Sequence, residues 1–314
     1  MSQPVYGKMA VIGCGLIGAS VILAARAAGA VGEVAVADAS PQARARIAEL
    51  GFADSVTADP AQACEGAELV VFAVPVMAMG EAARAAAPGV AAHATVTDVG
   101  SVKAAVGEAL AQALPPGALI VPGHPIAGTE QSGPDAGFAE LFQHRWVILT
   151  PQSRADAPYQ AAVERLTDFW TALGSNVELM DDKHHDLVLA VTSHLPHLIA
   201  YNIVGTAADL EGVTQGEVMK YSAGGFRDFT RIAASDPTMW RDVFLTNKDA
   251  VLEMLGTFNE DLSKLTRAIR RGDGEALFEH FTRTRAIRRG IVETGQDSAA
   301  PDFGRPHAQL GKKP

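Results

Sequence analysis

The sequence predicts an α/β protein: a doubly wound parallel sheet over residues 1–180, an all-α domain over 181–295 and a tail over 296–314. Three observations carry this. Short apolar runs bounded by Gly, Pro or Asp alternate with Ala-rich segments of helical length up to about residue 150. A glycine fingerprint sits where the first such run meets the first helix, and strand signals stop after Asp181, leaving only helical periodicity. With 48% apolar and 20% charged residues over 314 positions, the chain can build a sizeable core and is too apolar to be disordered.

The apolar runs Met9–Ile12, Glu33–Ala37, Leu69–Val74, Ala94–Thr97 and Ala118–Val121 are too short for helices and read as buried parallel strands. Leu16–Ala28, Pro41–Leu50, Val76–Ala87 and Val102–Leu114 are the helices that cross between them. Residues 122–145 break the rhythm with Pro122, Gly123, Pro125, Gly128, Gly133, Pro134 and Gly137, a loop long enough to suspect function. Trp146–Thr150 and Asn176–Leu179 flank a helix over Tyr159–Leu173 and are expected to extend the first sheet. Helices then follow over Leu187–Val204, Thr238–Thr257 and Phe258–Arg289, and Asp297–Pro314 reads as a mobile tail.

Composition narrows the function. The 26 Lys+Arg against 36 Asp+Glu give a net charge of −10, which repels phosphate backbones and anionic membranes, so neither nucleic acid nor membrane is an expected partner. The basic stretches Arg267–Arg271 and Arg283–Arg289 are interleaved with Glu275 and Glu279 and read as a solvated helix face. Cys14 and Cys64 are too few for a disulfide framework and lack metal-ligand spacing, which points to a reducing compartment, the cytoplasm. Met9–Ala25 imitates a secretion signal, but Gly13, Gly15 and Gly18 interrupt it. No run approaches the roughly 18 consecutive apolar residues of a membrane span.

Gly13-Cys14-Gly15-Leu16-Ile17-Gly18 directly follows the first strand and opens the first helix. Glycines permit the tight turn and close backbone approach, and the amides of a helix N-terminus offer partial positive charge to a pyrophosphate. Asp38 ends the second strand 20 residues beyond Gly18, where a carboxylate accepts hydrogen bonds from both hydroxyls of an adenine ribose. It would repel a 2′-phosphate, and neither Ala39 nor Ser40 supplies a cation to bind one, so the expected cofactor is NAD. Cys14 has no neighbouring cation to activate it and reads as a small side chain tolerated between glycines.

Asp98, Ser101 and Lys103 follow the strand ending at Thr97, at the carboxyl edge where open α/β sheets bind ligands. Ser101 reads as the N-cap of a helix starting at Val102, with its hydroxyl at the mouth of the crevice. His124, between Gly123 and Pro125 on the glycine-rich loop, has no helix or strand face on which to pack, which favours a chemical role.

Gly123-His-Pro-Ile-Ala-Gly-Thr-Glu-Gln-Ser-Gly133, Thr192-Ser-His-Leu-Pro-His197, Gly224-Gly-Phe-Arg-Asp-Phe-Thr-Arg-Ile-Ala233 and Asp236-Pro-Thr-Met-Trp240 closely resemble the prephenate and arogenate dehydrogenases of tyrosine biosynthesis, over about residues 7–290. The resemblance implies a Rossmann-type NAD domain followed by a helical dimerisation domain. The activity it implies is oxidative decarboxylation of a cyclohexadienol to a phenol. It makes His124 the catalytic histidine, Ser101 the serine that orients it near the nicotinamide, Arg231 the cation on the substrate carboxylate and His194 a second histidine of the substrate pocket. Arg227, four residues before Arg231, is a further substrate cation or a surface partner of Asp228 or Asp236. Glu130 would welcome the ammonium of arogenate if it faced the substrate, so prephenate, arogenate or both stay open, with prephenate the default by resemblance.

His194 and His197 have the spacing of a metal pair, but Pro196 between them and the lack of a third ligand argue for separate roles and no metal. His184 and His185, beside Asp181, Asp182 and Lys183, read as exposed polarity at a helix entry. The chain is expected to be monofunctional. Apolar stripes that include Val243, Leu245, Val251, Leu252, Leu262, Ile269, Phe278 and Phe281 exceed what so few helices can cover, so a homodimer through them is expected. Two alternatives share this outline. One is another two-domain NAD dehydrogenase of the β-hydroxyacid or 6-phosphogluconate type, which by resemblance needs a catalytic lysine, here Lys183 or Lys220. The other is a non-catalytic NAD-sensing dimer.

Overall fold

The computed structural model describes residues 3–129, 131–210, 220 and 224–293. Glu130 and the tail from Asp297 lie outside these residues.

The first sheet is parallel with strand order β3-β2-β1-β4-β5-β6, built from β1 (Tyr6–Ile12), β2 (Val31–Ala37), β3 (Ser55–Thr57), β4 (Leu69–Phe72), β5 (Thr95–Asp98) and β6 (Leu119–Ile120). Ile12 pairs with Ala37 on one side and Phe72 on the other, so the order reverses direction at β1. A crevice therefore opens beyond the carboxyl ends of β1 and β4. Helices α1 (Leu16–Ala27) and α2 (Pro41–Leu50) are joined by α3 (Pro60–Cys64), α4 (Met79–Ala86) and α5 (Ala104–Ala113). They bury two apolar clusters, one centred on Tyr6, Phe142, Phe169 and Trp170, the other on Phe72, Met79, Val96 and Leu110. The sequence reading missed β3 and α3. The first is three half-exposed residues at the sheet edge and the second barely more than one turn, too short to show a period.

The chain leaves this sheet at Pro122. Val121 still donates to Val96 O, but a proline has no N–H with which to continue the ladder. Gly123–Pro125 (β7) instead pairs antiparallel with Trp146–Leu149 (β8), which pairs parallel with Asn176–Leu179 (β9). The two late strands thus form a separate three-stranded sheet rather than extending the first, with α6 (Ala157–Ala172) between them in the chain. His124 is also not on a free loop: it lies in β7 opposite Ile148 and is buried.

Beyond Asp181 the described chain is helical: α7 (Asp182–Leu189), a wide π-type turn (Ala190–His194), α8 (Leu195–Asp209), α9 (Gly224–Thr230), α10 (Pro237–Thr246), α11 (Lys248–Arg271) and α12 (Gly274–Glu293). The π turn falls where Pro196 opens α8, since a proline has no N–H for the helix ladder and its ring crowds the carbonyl four residues back. The expected break at residue 257 falls elsewhere. Asn247 ends α10, and Gly272, left-handed at φ 66°, ends α11. The stretch Asp182–Asp209 has the length and hydropathy of a membrane span. Its first half, however, buries His185 and Asp186 and packs against α5 and α11, as an internal helix of a folded domain does.

Val243 and Val251 of the expected dimer stripe turn inward to the core. Leu252, Ile269, Phe278 and Phe281 remain 61%, 66%, 72% and 56% exposed on α11 and α12. Burying such side chains stabilises association by about 1.5–3 kcal/mol each.

Candidate active site

At the end of β1, Gly13 turns the chain at φ 87°, and a Cβ there would lie 2.8 Å from Ala73 O. Gly15 is the N-cap of α1, with no side chain capping that end and nothing within 4 Å of where a Cβ would stand. Open space therefore faces the first-turn amides of Leu16, Ile17 and Gly18, the cradle that a pyrophosphate needs. Gly18 lets the helix close on the turn, since its Cβ would be 2.4 Å from Gly13 O. Asp38 is held by Cys14 N to its Oδ2 and Ser40 N to its Oδ1, both at 2.9 Å, which fixes its carboxylate at the ribose end of the cradle. The residues fit NAD. Arg44, which sequence reading did not weigh, packs Nη1 on the carbonyls of Asp38 and Ala39 at 2.8 and 2.9 Å. Cys14 is buried, and burial pushes its thiol up to about 12, so it is unreactive.

Further along the carboxyl edge, Asp98 closes β5, and Lys103 is wholly buried against its carboxylate. Together they grip one peptide unit on each side: Gly123 N donates to Asp98 Oδ1 at 3.2 Å, and Lys103 Nζ donates to Gly123 O at 2.6 Å. This clamp sets the backbone from which His124 projects. Ser101 does not cap the next helix. That helix starts at Ala104, and its end is capped from a distance by Asp186, whose two oxygens accept Lys103 N at 2.7 Å and Ala104 N at 3.0 Å.

Four histidines of β7, α7 and the π turn region converge here. His124 Nδ1 lies 2.8 Å from His185 Nε2, and His185 Nδ1 lies 2.8 Å from Asp186 Oδ1. His185 is therefore fully buried rather than exposed at a helix entry, while His184 stays at the surface. Among the described residues no hydrogen bond joins Ser101 to His124. Ser101 approaches the His194 ring through its backbone instead, without reaching hydrogen-bond geometry. Asn247 Nδ2 must donate to Asp186 O at 2.8 Å, so it also donates to His194 Nδ1 at 3.1 Å. That leaves the proton of neutral His194 on Nε2, a buried donor with no hydrogen-bond partner among the described residues. His197 takes another path, bonding Ser193 O through Nδ1 at 2.8 Å and stacking on Trp240 at 3.6 Å. No cluster of three or more metal-ligating side chains occurs among the described residues.

Burial holds His124 well below its ordinary value, with His185, Lys103 and His194 adding to the shift, so the ring is neutral at pH 7. Burial likewise lowers His185 and His197, and lowers His194 to about 4. Arg231, on a short 3-10 turn after α9, lies near enough to His197 to oppose that ring's protonation. Arg227 is on the exposed side of α9, 3.7 Å from Asp228. The helix changes type between the two arginines, so four-residue spacing does not align them. Lys183 is exposed at the start of α7, and Lys220 is exposed too.

A dinucleotide cradle running along one sheet edge to a buried neutral imidazole is the apparatus of a two-domain, nucleotide-dependent dehydrogenase. Residues 21–179 match the prephenate dehydrogenase nucleotide-binding domain, and residues 181–283 match the prephenate dehydrogenase dimerization domain. The chain belongs to the prephenate dehydrogenase family. It is 45% identical to the cyclohexadienyl dehydrogenase of Zymomonas mobilis over 284 residues, covering 90% of this chain and 96% of that protein. It is 33% identical to the prephenate dehydrogenase of Bacillus subtilis, covering 93% of this chain and 77% of that protein. A solved prephenate dehydrogenase from Aquifex aeolicus, in complex with hydroxyphenyl propionate and NAD+, superposes with a TM-score of 0.84 at 34% identity, covering 93% and 99% of the two chains.

Proposed function

We propose that this protein is a cytoplasmic, homodimeric enzyme that carries out the NAD-dependent oxidative decarboxylation of prephenate, arogenate or both in tyrosine biosynthesis. The observation that carries the reading is the buried, neutral His124 at the carboxyl edge of a dinucleotide-binding sheet.

In this reading Gly13, Gly15, Leu16, Ile17, Gly18 and Asp38 hold the cofactor, with Ser101 at the mouth of the crevice. His194 offers its Nε2–H to the substrate, and Arg231 takes the ring carboxylate as a charge-assisted fork. Arg227 and Glu130 stay as candidate contacts to the substrate side chain. Bound NAD supplies the hydride acceptor. His124 Nε2 takes the hydroxyl proton as the carbon–hydrogen bond at that carbon breaks. Carbon dioxide then leaves its bonding pair in the ring, the oxygen becomes a phenolate, and His124 returns the proton to it.

Initial rates with prephenate and with arogenate, each with NAD and NADP, test the reading. Wild type is expected to favour NAD strongly. Asp38→Ala should weaken NAD use and raise NADP use, because the repulsion goes while Arg44 stays beside the ribose. Equal wild-type turnover with NADP overturns the cofactor assignment, and no turnover of either substrate overturns the activity. The uncovered faces of α11 and α12 support the dimer. Sedimentation at micromolar concentration should give twice the chain mass, and a monomer would refute it.

A further inference from the structure

His185 and Asp186 lie outside the motifs that carry the resemblance, yet they sit directly behind His124. A carboxylate accepts hydrogen bonds and does not donate them. Asp186 receives three: from Lys103 N at 2.7 Å, Ala104 N at 3.0 Å and His185 Nδ1 at 2.8 Å. The proton of neutral His185 is therefore on Nδ1, and its Nε2 is a lone pair. That lone pair is 2.8 Å from His124 Nδ1, so the contact needs a hydrogen supplied by His124. With its proton on Nδ1, His124 has its other nitrogen, Nε2, free to accept one. The order of donors thus runs from the base, through one imidazole, to a carboxylate anchored on the N-terminus of α5.

We propose that His185 and Asp186 are positioning residues for the reaction, holding the proton of His124 on Nδ1 so that Nε2 is the base presented to the substrate hydroxyl. The proposal rests on the reading of His124 as the base. When His124 takes the hydroxyl proton it becomes an imidazolium whose Nδ1–H still points at the His185 lone pair, and the Asp186 carboxylate behind it offsets the new buried charge. The proton returns to the phenolate by the same nitrogen, so the row needs no exit to solvent. The charged and titratable groups that face His185 are His124 from β7, Lys103 and Asp98 from the β5–α5 turn, Asp186 on its own helix and His194 from the π turn.

Asp186→Asn reverses the row. Asp186 Oδ1 accepts from both Lys103 N and His185 Nδ1, and Oδ2 accepts from Ala104 N. An amide that keeps its oxygen on Ala104 N gives up the Lys103 N bond and sets its NH2 against His185 Nδ1, which moves the His185 proton to Nε2 and the His124 proton to the substrate side. This variant and His185→Leu are each expected to lower kcat by about 10²-fold or more across the pH range, with KM for NAD within about twofold of wild type. His185→Gln, whose side-chain oxygen can accept from His124 Nδ1–H, should recover about tenfold or more relative to His185→Leu. In 15N-histidine spectra, His124 Nε2 should be of the unprotonated type in wild type and protonated in Asp186→Asn. A His185→Leu enzyme with kcat within about threefold of wild type overturns the proposal. Equal impairment of the Leu and Gln variants in step with lost thermal stability also overturns it, since that marks a packing role. If His185→Leu does not fold, Asp186→Asn and His185→Gln decide the matter through kcat and the spectra. His124→Asn serves as the reference: if it keeps turnover, the base assignment itself fails, whereas its inactivity beside an active His185→Leu removes only the positioning role.

Discussion

His124→Asn is expected to lower kcat by about 10²- to 10⁴-fold while NAD binding stays nearly unchanged, because a positioned general base is worth that much and the side chain lies apart from the glycine turn. The wild-type pH profile supplies a second reading. Burial lowers the imidazole below its ordinary 6.5, so kcat/KM should be flat through neutrality and fall only on the acid side of that value. Near-normal turnover in the variant, or an acid limb centred above pH 7, contradicts the assignment. The same burial has a stability consequence. His124, His185, His194 and His197 all have lowered folded-state values, so below about pH 6.5 the unfolded chain binds more protons than the folded one. Stability should be full above that pH and decline as the pH falls through it.

Lys103→Met is expected to cost about 3–5 kcal/mol of folding stability, the range for removing one partner of a buried ion pair. Both side chains are fully shielded from solvent, and burial pulls Lys103 down and Asp98 up from their ordinary values while their mutual charge opposes both shifts. Removing the ammonium strands the carboxylate and also frees Gly123 O, so the backbone at His124 loosens. Denaturant midpoints measure the first effect and kcat the second. A stability loss under about 1 kcal/mol would show that the pair does not carry the fold here. Asp98→Asn should cost a similar amount, since it strands the buried Lys103 ammonium even though an amide oxygen can still accept one of the bonds from Gly100 N and Gly123 N.

Much of this was legible in the residues. The apolar runs 9–12 of β1, 34–37 of β2 and 69–72 of β4 are buried on both faces, so they carry no polar interruption. Gly13 and Gly18 announce themselves because each solves a close approach that no side chain could, while Gly15 leaves the helix end open. What stayed hidden depends on partners distant in the chain. Pro125 and Gly123 mask β7, which becomes a strand only because β8 lies beside it. The cap of α5 comes from a residue 83 positions away, and no local rule finds it. His185 sits in a run of charged neighbours that looks solvated, and its burial follows from His124, 61 positions earlier. One local signal was available: His185 is four residues before the buried Leu189 on the same helix face.

The wide turn at Ala190–His194 acts as a phase shifter between two histidines of the pocket. Nine residues separate His185 from His194, which in a regular α-helix is about two and a half turns and would aim them to opposite sides. A turn closed by i→i+5 bonds advances less per residue and brings the second ring back towards the first. Asn247 reaches both the backbone of Asp186 and the ring of His194 because of this. A chain lacking one residue in this turn could regain the same arrangement with an unbroken α-helix and a separation of eight. Spacing between pocket histidines is therefore a property of helix type as much as of sequence, and an alignment that forbids a single-residue gap at 190–193 would misplace one of them.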